Sequence, residues 1–110
     1  MALLSTPVAA SAAPPAIGEE ARIPFPSNAT IRTFRADDED TIYIQDRGRR
    51  WYRANVIGPC FDLPYAHAIG VDTRGTRILD RFSALIVRGE RCQLNSFIRV
   101  AGPPERRRRR

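Results

Sequence analysis

Cys60 and Cys92, the lone His67, the acidic run Asp37, Asp38, Glu39 and Asp40, and the aromatics Tyr43, Trp51 and Tyr52 among arginines are the residues here whose types point to chemistry beyond packing. The two cysteines are separated by about 32 residues, a loop whose closure would stabilise a small domain by roughly 3–4 kcal/mol on the chain-entropy estimate. Disulfide bonding is the first reading, with two buried free thiols or half of a metal site as the alternatives. A metal site is disfavoured, because one histidine and two distant cysteines lack the paired ligand spacing of zinc sites. The spacing also differs from the Cys-x-x-Cys arrangement that keeps an attacking thiol beside its partner, so a bond here would be structural rather than redox-active.

A histidine can serve as a general base near neutrality, but no nucleophile stands at a telling spacing from His67 and no serine sits in a Gly-x-Ser-x-Gly turn. It reads as a boundary residue beside a short helix, and no catalytic residue, cofactor or metal is assigned. The four acids lack the alternation and glycine of a calcium loop and read as a solvated hairpin loop. Tyr43, Arg50, Trp51 and Arg53 form a candidate binding surface of the kind on which bases stack while arginines follow phosphates. The competing reading is cross-strand packing with arginines on the wet face.

The elements that must position these residues are short strands. Isoleucines 42 and 44 share a face; Tyr52, Ala54 and Val56 share another, opposite Trp51, Arg53 and Asn55. With a weaker alternation over residues 31–35, the pattern predicts a three-strand meander. Leu63, Ala66 and Ile69 recur every three residues behind Asp62 and Pro64, with Gly70 as a stop, which predicts a helix of about two turns. A short strand is expected within residues 71–79. Residues 82–87 are apolar on both faces, as in a central strand, and Arg88-Gly89-Glu90-Arg91 turns them into an alternating strand that starts at Cys92. The expected fold is mainly β: a small antiparallel meander or partly closed barrel of about five strands, with one short helix and one disulfide. The domain spans residues 30–101, after an extended, proline-bearing linker over 17–29.

Residues 1–16 have the small-residue, alanine-rich character of the latter part of a signal peptide, without its charged n-region. An in-frame basic segment upstream of Met1 would complete it and place the protein in the periplasm or outside the cell; otherwise the protein is cytoplasmic. No stretch reaches the length of about 18 apolar residues that a membrane span needs. The net charge of +6 comes mostly from the end of the chain. Five of the 18 basic residues are Arg106, Arg107, Arg108, Arg109 and Arg110, and residues 1–104 hold 13 arginines against 11 acids, a net +2. Residues 102–110 read as a disordered tail that binds polyanions weakly and without sequence preference. All 18 are arginine and none is lysine, a bias that fits a GC-rich genome.

Ile31-x-x-Phe34, Ile42-Tyr43-Ile44, Trp51-Tyr52-Arg53-Ala54, Gly58-Pro59-Cys60, Leu63 with Ala66 and Ile69, Leu79-Asp80-x-Phe82, and Cys92 together resemble a family of uncharacterised secreted bacterial proteins, a domain of unknown function. The resemblance covers residues 31–97. It implies export, pairing of the second cysteine and a small β-rich domain, and it brings no activity, substrate or catalytic residue. The leading expectation is therefore a non-enzymatic exported domain acting by binding or structural contact, with an envelope protein or surface as its partner. The alternative is an intracellular nucleic-acid-binding module that uses the arginine tail and the face of Trp51 and Arg53.

Overall fold

Side-chain alternation organises the sheet, and the computed structural model, which describes residues 15–25, 27–58 and 60–104, shows it most clearly in one strand. In β4 (Trp51–Val56), Tyr52, Ala54 and Val56 are buried while Trp51, Arg53 and Asn55 are half-buried, the period-2 pattern read from the sequence. This strand pairs with β3 (Thr41–Asp46), which pairs with β2 (Ile31–Ala36), giving the expected meander. On its other side β4 meets β8 (Glu90–Val100), whose opposite edge carries β7 (Ala84–Val87) and then β5 (Gly70–Asp72). All neighbours are antiparallel. The six-stranded sheet curls into a half-barrel, and a two-stranded pair, β1 (Ile23–Pro24) with β6 (Ile78–Leu79), accompanies it.

The 11-residue β8 is the strand shared by both halves: residues 90–93 pair with β7 and residues 94–100 with β4. The β4–β8 register shifts between Asn55 and Val56, an irregularity of the kind that bends a sheet. Arg88 and Gly89 form the two-residue hairpin between β7 and β8, both with positive φ (51° and 86°), the geometry of a type I′ turn.

The concave face holds the core. Ile42, Ile44, Tyr52, Ala54, Val56, Leu85, Val87, Leu94 and Phe97 are buried there, and the rings of Tyr52 and Phe97 stack at 5.1 Å. Residues 17–29, expected as a linker, differ from that expectation. Among them Ile23–Pro24 form a strand and a 3-10 turn begins at Asn28, and Ala21, Ile23 and Phe25 are buried in the core while Arg22 and Pro24 face solvent. The backbone N–H groups of Gly18 and Ala21 donate to the carbonyls of Arg99 and Phe97. Proline lacks only the donor, so an outer strand tolerates it, and the apolar residues at every second position supply the burial.

The helix is a single 3-10 turn, Leu63–Tyr65, rather than two α turns. A recurrence of three matches the 3.0 residues per turn of that helix better than 3.6. Asp62 does not cap it through its side chain, and Ala66 is already extended. Leu63 and Ile69 still reach the core, with Ala66 packed against it. The strand expected within residues 71–79 divides into β5 and β6 around a turn in which Arg74, Gly75 and Arg77 have positive φ. No helix among the described residues is long and apolar enough to cross a membrane.

Candidate functional site

Cys60 and Cys92 are bonded and buried, with their Cα atoms 6.0 Å apart. The bond ties the loop after β4 to β8, and the same loop is held by the Cys60 N–H on the Glu39 carbonyl at 2.8 Å. A carboxylate oxygen of Glu90 lies within 4.8 Å of both sulfurs. Sulfurs bonded to each other present no thiolate, so this cluster is a braced corner of the fold rather than a set of ligands.

The acidic run forms the exposed loop between β2 and β3. Asp38 Oδ1 accepts the N–H groups of Asp40 and Thr41, both at 3.0 Å, and these bonds, that of Asp40 first, hold its carboxyl below the usual value. With Gly58 and Pro64 the four acids line an open groove of about 520 Å³. Ile57, Phe61 and Tyr65, in the loop after β4, are mostly exposed.

At the other end of the meander, Asp46 is buried and answered on three sides. Tyr52 Oη donates to Oδ2 at 3.0 Å, the Arg50 N–H donates to Oδ1 at 3.0 Å, and the Arg50 guanidinium approaches to 3.6 Å. Burial first, then the bond to Asp46, pushes the Tyr52 hydroxyl up to about 12. These bonds draw Arg50 away from the surface it was expected to share with Trp51.

The other three candidates of that surface do lie together on the convex face. Arg35, Tyr43 and Arg53 sit directly opposite one another across β2, β3 and β4, beside a row of Thr33, Gln45, Trp51 and Val100. The face is partly covered by the chain itself. A Cβ on Gly102 would lie 3.7 Å from the Trp51 ring, and Arg35 Nη2 donates to the Pro104 carbonyl at 2.6 Å. Tyr43 is only 8% exposed. Stacking a base requires a free ring face, which Tyr43 does not offer. Arg106, Arg107, Arg108, Arg109 and Arg110 lie outside the described residues.

His67 is exposed and lies just after the 3-10 turn rather than on a helix. It lines a groove of about 320 Å³ with Asn28, Ile31, Arg32, Thr33, Phe34, Ala68 and Ile69. One wall is edge strand β2 and the other is the segment that leads into β5, the opposite edge of the sheet. Asn28 bridges the walls, its Nδ2 donating to the Ile69 carbonyl at 3.1 Å. Sequence reasoning did not find this seam. Its walls are about 35 residues apart and meet only because the sheet curls, and Asn28 lay in a stretch read as linker.

No curated protein and no solved structure matches the chain. A family described as a family of unknown function does match, over residues 2–103. That span takes in the bonded cysteines, both ends of the meander and both walls of the seam, and the chain belongs to this family, DUF6491.

Proposed function

We propose that this chain is an exported domain that acts by binding rather than by catalysis. The observation that carries the reading is the buried Cys60–Cys92 bond, since structural disulfides form and persist in oxidising compartments. The polar groups that would otherwise invite a catalytic reading are engaged in holding the fold. Asp46 is occupied by Tyr52 and Arg50, and Asp80 Oδ1 accepts the Phe82 N–H at 2.9 Å while Oδ2 faces Arg22 at 3.3 Å. The lone histidine lies in the seam, between an edge strand and a loop, with no carboxylate or thiol among the lining residues. An intracellular nucleic-acid module on the convex face is the weaker reading, because Gly102 and Pro104 already lie across Trp51 and Arg35.

Fractionation of cells expressing the complete open reading frame, with maleimide trapping before lysis, tests the proposal. Envelope protein that gains maleimide only after reduction is the expected result. Cytoplasmic protein with two reactive thiols overturns it.

A further inference from the structure

We propose that the seam between β2 and residues 67–69 accepts an extended, carboxylate-bearing segment of a partner protein, which joins the sheet as an added strand on β2. This rests on the reading of the chain as a binding domain, but not on its export.

The main chain supplies the first argument. The Asp37 N–H donates to the Thr41 carbonyl, so counting back by twos, Arg35 and Thr33 direct their backbone groups toward β3. Phe34 and Ala36 therefore direct theirs outward. β2 has no strand beyond it, and among the described residues no main-chain group outside the sheet bonds to Phe34 or Ala36. An edge open at Phe34 and Ala36 is a template for strand addition.

Side chains set the chemistry of the occupant. The register shift between Ile31 and Thr33 lets Ile31 and Phe34 both pack against the core, and with buried Ile69 they give the seam an apolar floor. Arg32 is exposed, sends Nη1 to Gln45 Oε1 on the convex side at 3.1 Å, and forms the rim together with His67. No carboxylate lines this groove. An added strand would place alternate side chains on the floor and the rest beside Arg32 and Arg35, so apolar residues alternating with Asp or Glu fit. A second copy of this chain fits poorly, since pairing β2 with β2 would bring arginines 32 and 35 of both copies onto one ribbon.

The test uses the isotope-labelled full chain with its disulfide intact and two blocked hexapeptides, Val-Glu-Val-Glu-Val-Glu and Val-Lys-Val-Lys-Val-Lys. The glutamate peptide should bind about ten-fold tighter than the lysine peptide, as two cross-strand charge pairs would give, and should protect the Phe34 and Ala36 amides from exchange. R32E should abolish most of the preference, since Arg35 alone still favours the glutamate peptide, and should leave the free protein's amide spectrum otherwise native. Equal response to both peptides, or shifts confined to the acidic loop or the convex face, overturns the proposal. So does protection of the two amides that rises with protein concentration alone, which would assign the edge to self-association. A protein trapped in the envelope with its disulfide formed, yet indifferent to both peptides, loses this site and keeps the exported reading.

Discussion

The two ends of the β2–β3–β4 meander are closed by different physics. At the Asp37–Asp40 end the closing element is covalent: the loop after β4 is bonded through Cys60 to β8. At the Asp46–Arg50 end a buried carboxylate gathers a phenol, a backbone N–H and a guanidinium. A disulfide stabilises chiefly by restricting the unfolded chain, so its contribution barely depends on pH through the acid and neutral range. A buried carboxylate stabilises only while every partner is in place, and losing one leaves desolvated polar groups unanswered. The first end tolerates changes in its surroundings and the second does not.

The largest effect should come from breaking the covalent end. Cys60→Ser or Cys92→Ser should each lower stability by about 2–5 kcal/mol, and the double variant should fall within about 0.5 kcal/mol of either single one, since the same bond is lost each time. Urea melts of the three variants check this, and additive losses would show that the cysteines matter as packing rather than as a bond.

Breaking the polar end should cost less. Asp46→Ala strands the Tyr52 hydroxyl and should cost about 1–3 kcal/mol, with Tyr52→Phe in the lower part of that range. A double-mutant cycle should give a coupling of at least about 0.5 kcal/mol for two residues in direct contact.

The two ends should also part at alkaline pH. A tyrosine held at about 12 binds its proton more tightly folded than unfolded, so its stabilisation is complete below about 10 and is lost as pH rises from there through 12. Tyr52→Phe should flatten that loss in melts taken between those values, whereas Asp38→Ala should leave it unchanged.

The smallest effect belongs to Asp38, a carboxylate in an exposed loop. Asp38→Ala should cost no more than about 0.5 kcal/mol near neutrality. Because its carboxyl is held low, the stabilisation exists above the unfolded carboxylate value and disappears as pH falls through the folded one. The difference between Asp38→Ala and the parent should therefore vanish in acid.

The sequence made part of this contrast legible. Alternation through Tyr52, Ala54 and Val56 placed β4 and its neighbours, because a half-buried strand writes its two faces directly into residue type. The paired cysteines were legible because their alternatives were few. Asp46 was not, since its turn signal was visible but its partner Tyr52 lies across the hairpin on the concave face. Prolines 24 and 26 hid β1 by resembling a linker, although Ala21, Ile23 and Phe25 carried the burial pattern. The triple spacing of Leu63, Ala66 and Ile69 was correct about what reaches the core and wrong about the number of turns, since an extended chain also returns Ile69 inward. The seam between β2 and residues 67–69 is a property of curvature, which no local pattern encodes.

The placement of β8 between β4 and β7 bears on the order of events as the chain is made. Asn55 and Ser96 face each other across a sequence separation of 41. Until β8 emerges, the β4 edge of the meander is uncovered as well as that of β2, and Cys60 has no partner within the chain. Contacts of such separation close slowly, because the loop entropy precedes the reward. A nascent chain in an oxidising compartment therefore passes through an interval in which Cys60 is a lone thiol beside an open strand. During that interval it is open to mixed disulfides with thiol oxidoreductases, and the arrival of Cys92 resolves any such intermediate into the intramolecular bond.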